Sequence, residues 1–321
     1  MSRIVTVTLN PAVDLGCTAE HVVPTHKIRT FDEHIDPGGG GINVARVLHA
    51  LGADVQALIV AGGVTGALIQ ELLSEAGVPH RTVHCHGRSR ISYTVFDRAT
   101  KDEYRFVPVG PIAEPHDWTE VLSILEQIEC EWIIASGSLE PGMPPDIYAT
   151  IAGIARRRGI RIAVDTSGAP LRLALEAGLD LVKPSLSELE GYAKRALPGA
   201  AEQEAEAMVL VRAGRARMVA VTLGDEGALL ASAEGVIRLP AIPVPFHGAV
   251  GAGDSFVAGM IWALTNGLSK HEALEWAIAA GSATVSRAGT ARVRLEDVEA
   301  WRVIGATTPV SEASPSGGTI T

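Results

Sequence analysis

From residue 117 onward, short apolar runs alternate with longer stretches of helical periodicity. Trp132–Ala135 precedes Pro145–Arg158, Ile160–Asp165 precedes Pro170–Glu176, and Leu179–Lys183 precedes Ser187–Lys194, while Met218–Leu223 follows Gln203–Ala213. Continuous aliphatic runs of strand length set between helices predict parallel strands buried on both faces. The fold class expected is α/β, with a central, mostly parallel sheet flanked by helices. Upstream of residue 117 the pattern changes. Met1–Leu9 alternates as a strand does, and Ile28–Ile35, Ile91–Asp97 and Glu103–Val107 read as short strands, the last stopped by Pro108. Polar turns such as Arg98–Asp102 join them without helices between. This predicts a small antiparallel β-sheet inserted into the α/β domain, drawn from about residues 12–35 and 88–110. No internal repeat divides the chain, so residues 1–306 are expected to form a single domain. The Ser-, Thr-, Pro- and Gly-rich stretch 307–321 is expected to be a disordered tail.

Composition narrows the function classes. Of 321 residues, 47% are hydrophobic and 20% charged, which supplies a sizeable core. Lys plus Arg number 27 against 37 Asp plus Glu, a formal charge of −10. A broad phosphate-tracking surface is therefore not expected, and nucleic acid is not an expected partner. The uncharged stretches Val55–Gln70 and Ser255–Ser269 fall short of the ~20 apolar residues a membrane helix needs. Met1–Leu9 has no basic-then-apolar leader pattern. Cys17, Cys85 and Cys130 form no C-x-x-C pair, so neither a zinc site nor a disulfide framework is expected. A cytoplasmic location without membrane contact follows as an expectation. The 34 glycines exceed a usual share of roughly 7% without any collagen-like repeat, so particular backbone sites must require them.

Two clusters stand before helical runs. Pro37–Asn43 reads PGGGGIN and leads into Val44, Val47, Leu48 and Leu51. It reads either as a tight strand-to-helix turn or as a place where ligand meets backbone at free helix N–H groups. Asn43 is either a helix N-cap or a ligand contact. Gly248–Asp254 reads GAVGAGD and precedes the helix Ser255–Thr265. Backbone N–H groups of Gly251, Ala252 and Gly253 could cradle developing anionic charge, with Asp254 as proton acceptor, metal-related carboxylate or simple cap. The phosphate-binding G-x-x-x-x-G-K-[ST] loop is absent, as are G-x-G-x-x-G between strand and helix, G-x-S-x-G and H-E-x-x-H.

These residues resemble a known family. Asn43-x-Ala45, six residues, Gly52, nine residues, Gly62 has the spacing of the first signature of the ribokinase-like (PfkB) carbohydrate kinases, and Gly251–Asp254 with Ser255 matches the second. Ser136–Leu139, Val164-Asp165, Val182–Pro184 and Thr222–Gly224 fall between them in the family's order. The resemblance spans residues 1 to about 300 and implies a ribokinase-like fold with the inserted sheet as a lid over the sugar. Thr8–Asp14 opens as in phosphosugar kinases. Gly40 stands where members acting on fructose 1-phosphate or tagatose 6-phosphate usually carry Lys, so the glycine run resembles the fructose 6-phosphate branch.

The resemblance implies ATP-dependent phosphorylation of fructose 6-phosphate to fructose 1,6-bisphosphate, with fructose 1-phosphate and tagatose 6-phosphate as alternatives. A non-catalytic sugar-phosphate and nucleotide sensor is the alternative from another class. It implies Asp254 as general base and Gly251, Ala252 and Gly253 as an anion hole. Asp14, Gly38, Gly39, Gly40, Gly41 and Asn43 would meet the sugar. Arg90 and Ser138 would meet its phosphate, with Lys27, Arg29 and Arg105 adding charge. Lys183, Ser185, Thr222, Gly224 and Gly227 would bind the nucleotide, and Glu188 would serve Mg²⁺. At Ser185 the family usually has Asn, which leaves direct phosphate contact at this position open. Some members bind a monovalent cation such as K⁺ near Gly248–Val250 and Thr284–Ala291. Lids of this family commonly pair between subunits, which implies a homodimer.

Overall fold

The architecture comes from a computed structural model that describes residues 3–245, 247–287, 290 and 293–307. The chain opens with β1 (Ile4–Thr8), then makes the first two lid strands, β2 (Ala12–Ala19) and β3 (Thr30–Gly38), before α1 (Gly40–Ala50). It continues through β4 (Val55–Ala61), α2 (Gly63–Glu75) and β5 (His80–His84), then returns to the lid as β6 (Arg90–Asp97) and β7 (Glu103–Phe106). After α3 (Pro115–Leu125) strands and helices alternate: β8 (Trp132–Ser136), α4 (Ile147–Arg158), β9 (Arg161–Asp165), α5 (Gly168–Ala177), β10 (Leu179–Val182), α6 (Leu186–Ala193), α7 (Ala200–Arg212) and β11 (Ala216–Thr222). A hairpin of β12 (Ala228–Ser232) and β13 (Gly235–Leu239) leads to α8 (Ala252–Thr265), α9 (Lys270–Val285) and α10 (Leu295–Thr307).

The described strands form a nine-stranded sheet in the order β13-β12-β11-β10-β9-β8-β1-β4-β5, in which only β12 runs against the others. Alternate residues of its central strands enter opposite cores, as the two-residue strand period dictates. Ile4, Ala57, Ile59, Trp132 and Ile134 face α1, α2, α8 and α9, whereas Val5, Leu58, Val60, Ile133 and Ala135 face the layer of α3, α4, α5 and α7. Helices α8 and α9 pack closely because Gly259 has no side chain: a Cβ there would lie 2.5 Å from the Trp276 carbonyl oxygen. Substituting Ala at Gly259 would force the two helices apart.

The strand β1 has β4 on one side and β8 on the other, so the chain leaves it in both directions. Such a switch point opens a crevice beyond the carboxyl ends of the strands, where open α/β sheets bind ligands. The second sheet, in the order β3-β2-β6-β7, rises there as the lid.

Several sequence expectations are refined. The uncharged run Val55–Gln70, too short for a membrane helix, divides at Gly62-Gly63 into β4 and α2. The lid is not wholly antiparallel: β2 and β6 pair in parallel, since each enters the lid from the same end of a body strand. The hairpin β12–β13, without a helix between its strands, closes one sheet edge that the alternation did not foretell. Thr307 belongs to α10, and the remainder of the expected tail, 308–321, lies outside the described residues.

Candidate functional site

The second glycine cluster builds the start of α8. Gly251 caps the helix with φ 81°, a left-handed conformation that strains any side-chain-bearing residue. Asp254 follows in the first turn, half-buried and held from two elements. Asn43 Nδ2 donates to its Oδ2 at 2.9 Å, and Ser136 Oγ donates to its Oδ1 at 3.3 Å. Burial, reinforced by the nearby Asp165 charge, pushes the Asp254 carboxyl up to about 7; Asn43, Lys183 and Ser136 act the other way. A carboxylate poised there can take a proton near neutral pH. The three-residue cradle needs one correction. The Ala252 N–H donates to the Ala249 carbonyl at 3.2 Å inside the turn itself. The N–H groups of Gly251, Gly253 and Asp254 have no backbone acceptor among the described residues.

Asn43 is not the cap of α1; that position belongs to Gly39, at φ 112°. Asn43 sits deeper in the first turn, where its amide nitrogen reaches Asp254 and its buried Oδ1 has no partner among the described residues. An orphan acceptor beside a carboxylate suits a ligand hydroxyl. The glycines around it first serve packing. A Cβ at Gly38 would fall 2.2 Å from Asp14 Oδ2, at Gly40 2.3 Å from Ser136 Oγ, and at Gly41 2.5 Å from the Val7 carbonyl oxygen. Their bareness lets α1 and β3 press onto the ends of β1 and β8.

Lys183 ends β10 with only 6% of its surface exposed, its Nζ 3.2 Å from Asp165 Oδ1. Burial would discharge this ammonium, but Asp165, Glu188 and Asp254 outweigh it and raise its proton affinity. Its Nζ lies 3.4 Å from where a Gly253 Cβ would be. Lys183 thus stands beneath the start of α8. Ser185 caps α6 in a reciprocal capping box. Its N–H donates to Glu188 Oε2 at 2.8 Å, and its hydroxyl accepts from the Glu188 N–H at 3.3 Å. Serine therefore does at this position the capping that asparagine can do. Among the described residues no group of three or more His, Cys, Asp or Glu forms a metal cage. Asp165 and Glu188, the second close enough to raise the proton affinity of the first, still suit Mg²⁺, which keeps water and phosphate ligands and needs only one or two carboxylates.

On the lid side Arg90 and Ser138 meet. Arg90 Nη2 donates to Ser138 Oγ at 3.3 Å and to the Asn10 carbonyl at 2.9 Å, and Nη1 donates to the Pro108 carbonyl at 2.9 Å. Burial draws the guanidinium's proton affinity down, against the pull of Asp14 and Glu140. Held by neutral carbonyls and a hydroxyl, it retains a charge to offer an anion. Asp14 is pushed up by burial, while the Thr290 hydroxyl, Arg90 and Arg105 hold it down. Arg105 on β7 therefore bears on the site electrostatically. Lys27 and Arg29 do not join it: they are exposed on the β2–β3 connection and make no hydrogen bond or ion pair with a described residue.

Three functional-type residues escaped sequence reading. Ser136 and Asp165 lie in short runs matching the family pattern, but nothing in their local pattern says that one grips Asp254 and the other Lys183. Glu140 is buried with neither carboxylate oxygen partnered among the described residues, and burial with Asp117 nearby pushes it up to about 8. The raised value favours the neutral acid around pH 7, which weakens its cancellation of the Arg90 charge. A Glu in a loop gives no local signal of burial.

Two cavities lie on either side of the Gly248–Gly253 segment. One of about 640 Å³ is lined by Thr222, Gly224, Gly227, Gly253, Phe256 and Gly281, which brings three of the expected nucleotide residues together. The other, about 710 Å³, lies under the lid against Asp14, His34, Thr94, Phe96, Glu103 and Gly248. Among the described residues no helix is long and apolar enough to cross a membrane.

The comparisons with known proteins agree with this geometry. The chain matches the pfkB family carbohydrate kinase profile over residues 7–297. It is 40% identical over 299 residues to the ATP-dependent 6-phosphofructokinase isozyme 2 of Mycobacterium tuberculosis, covering 92% of this chain and 88% of the relative. It is 35% identical over 281 residues to the 1-phosphofructokinase of Rhodobacter capsulatus, covering 86% and 88%. The crystal structure of phosphofructokinase-2 from Escherichia coli in complex with fructose-6-phosphate superposes with a TM-score of 0.89 at 33% identity, covering 95% of this chain and 100% of that one. With both signatures, the lid over the strand ends and a profile match along most of its length, the chain belongs to the PfkB family of carbohydrate kinases and is an ATP-dependent sugar-phosphate kinase.

Proposed function

We propose that this kinase transfers the γ-phosphoryl group of ATP to the 1-hydroxyl of fructose 6-phosphate. The observation that carries the reading is Asp254, gripped by Asn43 and Ser136 between a nucleotide-sized cavity and the lid. Asp254 takes the hydroxyl proton as the new O–P bond forms and ADP departs with the bond that breaks. The N–H groups of Gly253 and Asp254 and the ammonium of Lys183 face the negative charge of the phosphoryl in transfer. Asp14 and the free Oδ1 of Asn43 accept sugar hydroxyls. Arg90 and Ser138 hold the 6-phosphate, with Arg105 adding charge. Asp165 and Glu188 would hold Mg²⁺, which neutralises phosphate charge when bound. A monovalent cation near Gly248–Val250 and residues 284–291 belongs to the same reading; Ala288, Gly289 and Ala291 lie outside the described residues.

The choice of sugar is supported by Gly40 and by the names of relatives at 40% identity, whereas a relative at 35% is named for fructose 1-phosphate. ADP release measured with fructose 6-phosphate, fructose 1-phosphate and tagatose 6-phosphate tests it. The highest kcat/KM is expected for fructose 6-phosphate; a higher value for fructose 1-phosphate would overturn the assignment.

The lid's outer face supports a homodimer. Ile35 lies opposite Leu15, Leu15 opposite Tyr93 and Tyr93 opposite Phe106, a row across all four strands. Phe106 is 58% exposed, and Ile35 and Tyr93 are exposed too. A second copy of the same lid would cover this stripe, in a cytoplasmic enzyme that needs no other macromolecular partner. Light scattering should give a dimer for the native chain and a monomer for Phe106→Asp; an unchanged dimer would put the interface elsewhere.

A further inference from the structure

A sugar bound to Asp14 on the lid must bring its hydroxyl to Asp254 in the body, so the lid strand has to be registered against α1. A buried ion pair joins these two elements. Asp36 stands on β3 directly opposite Asp14, and Arg46 stands on α1 one turn beyond Asn43. Arg46 Nη2 donates to Asp36 Oδ1 at 2.9 Å, with side-chain exposures of 11% and 5%. The pair takes hold of one further residue from both ends. Arg46 Nη1 donates to the Thr290 carbonyl at 2.8 Å, and the Thr290 N–H donates to Asp36 Oδ2 at 3.4 Å. Arg46 Nη1 also reaches the Pro37 carbonyl, at 3.3 Å, beside the glycine run. Thr290, itself buried, lines the same cavity as Asp14, and its side chain favours the ionised Asp14 carboxylate.

We propose that the Asp36–Arg46 ion pair is a positioning device for sugar recognition, which grips the backbone of Thr290 and thereby aims the Thr290 hydroxyl at Asp14. A threonine side chain fixed only by its own rotamer could turn away. One whose N–H and C=O are both held by a charged pair keeps its hydroxyl on the carboxylate and leaves the other carboxylate lone pairs for substrate. Neither Asp36 nor Arg46 needs to touch sugar for this. The inference rests on Asp14 as a sugar contact.

Steady-state kinetics on Thr290→Val, Thr290→Ser, Arg46→Lys and Asp14→Asn, in the full chain with the preferred sugar phosphate, test it. Thr290→Val keeps the shape and the backbone grips but removes the hydroxyl. It should raise the KM for the sugar by about tenfold, the scale of a hydrogen bond to a charged group, and leave the KM for ATP within about twofold. Thr290→Ser should restore the native value. Arg46→Lys should reproduce the Thr290→Val shift, and the double variant should add little to either, because two members of one device do not add. If Asp14→Asn raises the sugar KM while Thr290→Val leaves it alone, the relay falls and the reading of Asp14 stands. If Asp14→Asn itself changes nothing, both fall. Multiplicative effects of Arg46→Lys and Thr290→Val, or equal weakening of both substrates by Arg46→Lys, would reduce the pair to ordinary scaffolding.

Discussion

The two glycine clusters look alike in sequence and do opposite things in the fold. Around Gly38–Gly41 the space a side chain would take is already filled by Asp14, Ser136 and the β1 backbone. Around Gly253 the nearest atom to a hypothetical Cβ is the far end of Lys183, at 3.4 Å, an ordinary contact. One cluster is bare so that protein can close on protein. The other is bare at the mouth of a cavity, where helix N–H groups remain open. Glycine before a helix is therefore not one signal, and the neighbours decide which kind it is.

The contrast can be attacked by experiment. The largest effect is expected at the open cluster: Asp254→Asn should lower kcat by at least ~10²-fold, the scale of a lost general base. Its stability should move the other way. The folded-state pKa of Asp254, about 7, lies above the ordinary value, so its ionisation is disfavoured in the fold and costs stability progressively from the unfolded value near 4 up to 7. The asparagine variant should melt higher than the native chain at pH 8, by a margin that shrinks toward pH 4; equal melting at both pH values would deny the buried charge. Next comes the comparison itself. Gly41→Ala should lose about 1–3 kcal/mol in urea denaturation, because its Cβ meets backbone that cannot move aside. Gly253→Ala should change stability by less than about 0.5 kcal/mol, while its methyl group intrudes where the phosphoryl passes and lowers kcat about tenfold. Equal destabilisation by the two would erase the distinction.

Smaller effects sharpen it. The kcat/KM profile should fall on its acid side with a midpoint near 7, because protonated Asp254 cannot accept the hydroxyl proton. Ser136→Ala removes a hydrogen bond that favours the ionised carboxylate, so it should move that midpoint upward by about half a unit and lower kcat about threefold at pH 7. An unmoved midpoint would leave Ser136 as a packing residue.

Legibility followed the range of the forces involved. The strands β8 to β11 and their helices were readable because each buries a continuous apolar run on both faces, a local pattern. Asp254 was readable because GAGD is contiguous. Asn43 was found, but its partner was not: the bond to Asp254 joins two helices that no spacing links. Asp165, Ser136 and the Arg46–Asp36 pair were missed for the same reason, since each acts through a contact made only when distant strand ends converge. Lys183 was singled out by its place after a strand, but its burial beside Asp165 comes from the fold and has no local signal. The lid halves were found as strands, and their parallel junction was invisible to periodicity.

That parallel junction has a consequence for how the chain is made. During synthesis β2 and β3 emerge together as a hairpin, but β2 finds its second neighbour, β6, only after α1, β4, α2 and β5 have followed. In the interval β2 presents an open edge to the crowded solution, the situation from which intermolecular sheet pairing starts. One of its faces carries Asp14, Gly16 and Thr18 and the other Val13, Leu15 and Cys17, so a foreign apolar strand would meet a charge on one side only. An apolar residue at position 14 would remove the one charge in β2, and is expected to lower the yield of folded protein before any substrate is offered.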